Sequence, residues 1–104
     1  MKLLTESIKK NLRERPRPNG PQSIDNVVCK FFDPCGSWTW YVTEGTEEPD
    51  GDWLFYGLVD GFEKEWGYFR LSELESVTNA FGLGIERDIH FKPYTVLKEF
   101  TTCS

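Results

Sequence analysis

The sequence predicts an α+β domain: a four-stranded antiparallel meander sheet, with short helices at the N-terminus, after the sheet and at the C-terminus. Three observations carry that expectation. Between residues 26 and 70 the apolar residues alternate with a period of two, interrupted by short turn signals. Both flanks instead show helix caps, prolines and apolar residues at i, i+4. Finally, 104 residues suit one domain, taken as 1–104, because a chain of this size buries roughly 60–70% of its unfolded surface.

The elements follow in order. Thr5 can cap a helix running to about Arg13, with Ile8 and Leu12 as its apolar stripe. Pro16, Pro18, Asn19, Gly20 and Pro21 then leave only loop or extended chain. Val27 to Phe32 reads as a strand closed by the turn-like Asp33-Pro34-Cys35-Gly36. Trp38 to Thr43 is the clearest alternation, with Trp38, Trp40 and Val42 on one face and Thr39, Tyr41 and Thr43 on the other. Pro49-Asp50-Gly51 marks the next turn, Trp53 to Val59 a third strand, Asp60-Gly61 a further turn and Glu65 to Arg70 a fourth strand. Ser72-Glu73-Leu74-Glu75 has the form of a capping box for a helix reaching about Asn79. Glu86 to Phe91 suits a short extended segment. Thr95 can cap a last helix that packs through Val96, Leu97 and Phe100.

Composition excludes several function classes. No apolar run approaches the ~20 residues of a membrane-spanning helix, and the start of the chain turns polar too early for a signal peptide, so the expected compartment is the cytoplasm. Three cysteines, Cys29, Cys35 and Cys103, are an odd number for a disulfide framework, and the C-x5-C spacing is not that of a zinc knuckle. The single histidine, His90, stands near no nucleophile motif, and no phosphate-binding glycine loop is present. No catalytic, cofactor or metal residues are therefore assigned.

Charge is more informative. The net charge of −5 hides a segregation: residues 1–18 carry a local +4, residues 43–75 a local −8. Such a dipolar surface steers an oppositely charged partner. Aromatics form 15% of the chain and concentrate on the expected strands, more of them than one helical layer can cover. Tyr41, Tyr56 and Tyr68 are thus expected on an open face, with Asp60, Glu63 and Glu65 around it, as a partner-binding surface. The opposing expectation is that the N-terminal arm covers that face. Two functional alternatives remain open: a nucleic-acid-binding accessory using Lys9, Lys10, Arg13, Arg15 and Arg17, or a metal-dependent enzyme using Asp60, Glu63, Glu65 and His90.

Several motifs recur together in one order: Val28-Cys29-Lys30-Phe31-Phe32-Asp33-Pro34, Trp38 to Glu44, Leu54 to Gly61, Gly67-Tyr68-Phe69, Ser72 to Val77 and Gly82 to Asp88. In these the chain resembles domain of unknown function 2958, over nearly its full length. The resemblance implies a bacterial protein carried by phages, plasmids or conjugative elements, and brings no catalytic residues. It implies a small non-enzymatic protein that binds host or defence machinery. Presenting Glu47, Glu48, Asp50 and Asp52 where phosphates would lie is one way to occupy a basic groove. The expected partner is a protein with a basic surface.

Overall fold

The structure, a computed structural model, describes residues 3–14, 27–77 and 82–91. Its elements are α1 (Glu6–Glu14), β1 (Cys29–Phe32), β2 (Thr39–Glu47), β3 (Trp53–Asp60), β4 (Lys64–Arg70), α2 (Leu71–Ser76) and β5 (Glu86–Arg87). The strands form one antiparallel sheet in the order β4-β3-β2-β1-β5. The meander of β1 to β4 is as expected, but among the described residues the sheet has five strands rather than four. The segment 86–91 contributes β5 because Glu86 and Arg87 pair with Phe32 and Phe31 on the otherwise open side of β1. Two helices lie among the described residues; the Pro-rich stretch and the helix expected after Thr95 fall outside them.

Directly paired residues of an antiparallel ladder point to the same face, so the register sorts the side chains. Phe31, Trp40 and Val59 line up on one face, as do Cys29, Val42 and Gly57, and Gly45, Phe55 and Phe69. This is the core face. Phe31, Val42, Trp53 and Phe55 have at most 1% exposure on it, and each such side chain contributes about 1.5–3 kcal/mol by leaving water. Helix α1 covers it: Leu12 is buried, and a methyl added at Gly45 would stand 3.0 Å from the Leu12 Cδ1 and 3.1 Å from the Phe55 ring. Thr5 caps α1 as expected, its Oγ1 accepting from the Ile8 N–H at 3.2 Å. Arg13 lies over the Trp53 ring and pairs with Glu47, so the basic and acidic segments partly neutralise one another within the fold.

Strand β2 runs on to Glu47, past the expected end at Thr43, and two further local features depart from the expected elements. A bulge between Val42 and Glu44 shifts the β2–β3 register. It leaves Thr43 fully buried rather than on an open face, its hydroxyl donating to the Tyr56 carbonyl at 3.0 Å. Here the strands run so close that a Cβ on Gly57 would fall 1.8 Å from the Tyr41 carbonyl oxygen; only glycine fits. The second departure is the cap of α2. The helix begins at Leu71, one residue before the supposed capping box, and its N-cap position, Arg70, makes no side-chain cap bond. Asp52, from the β2–β3 turn, takes the role across the fold. Its Oδ1 accepts from the Ser72 N–H at 3.1 Å and its Oδ2 from the Ser72 hydroxyl at 2.6 Å. The helix then ends at Ser76, short of Asn79.

Candidate functional site

The other face of the sheet carries the candidate site. Its side chains are set by the same register. Lys30, Tyr41, Leu58 and Trp66 form one row across four strands; Glu44, Tyr56 and Tyr68 form the next; Thr46, Leu54 and Arg70 a third. Helix α1 lies on the opposite face, against Gly45 and Phe55. Among the described residues, therefore, the N-terminal helix does not cover this surface.

Three of the rings, Tyr56, Trp66 and Tyr68, are in contact. Tyr56 stacks on Trp66 with centroids 6.0 Å apart and meets Tyr68 edge-on at 4.9 Å. The Lys30 ammonium sits 5.6 Å from the Tyr41 ring centroid, an attraction of ~0.5–1 kcal/mol at an exposed site. Tyr68 is 70% exposed and Trp66 38%, while Tyr41, Tyr56 and Leu58 are half-buried beneath their neighbours. Ring stacking holds the aromatics in place before any partner arrives, which lowers the ordering cost of an encounter.

The charged rim is mixed in sign. Lys30 reaches Asp88 at 3.8 Å on the β1 side, and Arg70 donates to Glu48 at 2.8 Å on the β4 side. At the far end Asp60 faces Thr39 and Lys64 on the open face. Glu63 is exposed in the β3–β4 turn, and Glu65 pairs with Val59 on the other face. The three carboxylates thus share one end of the hairpin without converging on one point. Phe62, also in that turn, is 94% exposed and packs edge-on against Trp38 at 5.4 Å.

Other residues singled out in the sequence are placed differently. His90 is exposed in the turn after β5, its N–H donating to the Asp88 carboxylate at 3.0 Å. Among the described residues no group of three or more His, Cys, Asp or Glu side chains is arranged to hold a metal ion. Cys29 is buried, and burial pushes its thiol up to about 12, so it is no nucleophile at neutral pH. Of the basic arm, Lys9 lies 3.4 Å from Glu6 and Arg13 is engaged by Glu47, whose hydrogen bond raises the guanidinium pKa further. Lys10 is exposed; Arg15 and Arg17 lie outside the described residues. Asp52, Glu47 and Glu48 are similarly occupied within the fold, and the bond from Ser72 holds the Asp52 carboxyl below its ordinary range.

Sequence reasoning missed Trp66, Leu58 and Leu54 as members of the open face. A signal was available: Trp66 stands two residues before Tyr68, and on a strand that spacing means a shared face.

No helix among the described residues is long and apolar enough to cross a membrane. A family model described as "Protein of unknown function (DUF2958)" matches residues 3–104. No curated protein and no solved structure matches the chain.

Proposed function

The chain belongs to the DUF2958 family, proteins of unknown function, over residues 3–104, and we propose that it acts as a non-catalytic protein-interaction domain through the open face of its sheet. The observation that carries this reading is the linked set Tyr41, Leu58, Trp66, Tyr56 and Tyr68. Tyr56, Trp66 and Tyr68 are preorganised by ring packing, Tyr41 and Leu58 share a row with Trp66, and the set is partly exposed inside a charged rim. Exposed aromatics ringed by polar groups are how binding surfaces concentrate their energy. Asp60 on the open face and Glu63 in the adjoining turn add negative charge at one end of it, with Glu65 behind them on the other face, which supports a partner with a basic surface. The reading places the chain in the cytoplasm as the product of a phage, plasmid or other mobile genetic element. Its partner then belongs to host or defence machinery.

The test compares wild type with a Tyr41→Ala, Trp66→Ala, Tyr68→Ala variant whose unfolding transition remains cooperative. Host proteins retained on each immobilised chain are identified, and the affinity of any retained protein is measured. Loss of at least about tenfold in affinity is expected, since aromatic anchors dominate such contacts. Equal affinity for the variant would remove the open face from consideration.

A further inference from the structure

The strand β4 is an outer strand of the sheet: it pairs with β3 alone among the described residues. Its other edge presents backbone N–H and C=O groups, which proteins commonly shield or use for pairing. The opposite edge is different, since β5 is only two residues long. Helix α2 follows β4 directly but does not run along that edge, because Leu74 turns into the core and the helix packs on both β3 and β4. Among the described residues, nothing else pairs with this edge over the seven residues of strand, Lys64 to Arg70.

We propose that the outer edge of β4 joins a second copy of this chain by antiparallel pairing about a two-fold axis at Trp66, making one continuous sheet. Self-complementarity selects the occupant and the register. Only registers that pair residues of the same face preserve both faces of the sheet. Centring on Gly67 would set Lys64 opposite Arg70, and centring on Glu65 would set two glutamates face to face; like charges directly opposite are unfavourable. Centring on Tyr68 would place Trp66 against Arg70, but Arg70 is already held by Glu48 and ends the strand. Centring on Trp66 sets Trp66 against Trp66 and Lys64 against Tyr68, so that each exposed ammonium meets a ring of the other copy.

On the reverse face the same register puts Glu65 opposite Gly67. A Cβ built on Gly67 would meet nothing within 4 Å, so that site has room for a neighbouring side chain. The seam is also locally neutral within an acidic chain: Glu63 and Glu65 balance Lys64 and Arg70. The row Tyr41–Leu58–Trp66 would then continue across the axis into its own copy, while each Tyr56–Tyr68 row would end on Lys64 of the other copy. This pairing uses the strand edge and does not depend on the face binding another protein.

Sedimentation of the full chain across a concentration series tests it, beside Trp66→Glu, Trp66→Lys and an equimolar mixture of the two variants. Wild type is expected to associate reversibly into dimers. Each variant places like charges on the axis and weakens association by roughly tenfold or more. The mixture places opposite charges there and recovers the dimer, which also shows that both variants are folded. Tyr41→Ala, far from the seam, leaves the dimer intact while weakening partner retention, so the two readings fail separately. Wild type that stays monomeric throughout, or dimers indifferent to Trp66→Glu, would overturn the proposal.

Discussion

Two glycines on paired strands differ in what they permit. Gly57 and Gly67 are direct partners across β3 and β4, yet a Cβ at Gly57 collides with the Tyr41 carbonyl while one at Gly67 enters open space. Gly57→Ala is therefore expected to cost at least ~2 kcal/mol, because a backbone atom cannot yield as a side chain can. Gly67→Ala should remain within about 0.5 kcal/mol of wild type. Urea unfolding followed by tryptophan fluorescence gives both values; similar losses at the two positions would contradict the close approach at the bulge. None of this was legible in the sequence, where both glycines simply follow an aromatic residue. The difference arises from the bulge at Thr43, a feature of two strands together, and a buried threonine looks in the sequence like any other strand threonine.

At the scale of elements, helix α2 depends on a residue far from it in sequence. With six residues it is too short to persist by propensity alone, and Asp52 ties its first turn to the β2–β3 turn. That carboxylate also accepts from the Trp53 N–H at 2.8 Å, so one side chain fixes the start of β3 and the start of α2. Its folded pKa lies below the ordinary 3.8. A depressed carboxyl pKa contributes stability that is present above the unfolded value and is lost as pH falls through the folded one. Asp52→Ala should lower the melting temperature at neutral pH and flatten the decline of stability on acidification below about pH 4. Asp52→Asn, which keeps an acceptor, should lie between the two. Thermal melts across an acid pH series decide it; an alanine variant with an unchanged acid limb would mean that the cap contributes nothing. The sequence did signal a helix here, through Ser72 and Glu75. It named the wrong capping residue because a cap supplied from twenty positions away has no local pattern.

For the molecule as a whole, the meander and the outward side of Tyr41, Tyr56 and Tyr68 were readable because alternation on a strand sets the face and short turns set the neighbour, whereas Trp66 on the same face was not picked out. The fifth strand was visible only as an extended segment. Its pairing with β1 is a long-range choice that periodicity does not encode. The role of the N-terminal segment was likewise ambiguous. Its lysines and arginines suggested an arm, whereas Leu3, Leu4 and Leu12 belong to the buried core and Arg13 to the Glu47 pair. Removing residues 1–14 should therefore abolish cooperative unfolding, since the core face would lose its cover, while Lys10→Glu should melt close to wild type. A truncated chain that still unfolds cooperatively near the wild-type midpoint would show α1 to be an appendage. For the same reason any nucleic-acid contact by this segment is better probed by charge reversal at Lys9 and Lys10 than by deletion.

The bond from the Arg87 guanidinium to the Leu3 carbonyl, 84 positions apart, also bears on synthesis. As the chain leaves the ribosome, β1 to β4 can zip together hairpin by hairpin, each contact joining segments made moments apart. Among the described residues, the outer side of β1 and the carbonyl of Leu3 have no such early partner. They wait until residue 87 has been translated and has cleared the exit tunnel, so the nascent sheet passes through an interval with both of its edges unclosed.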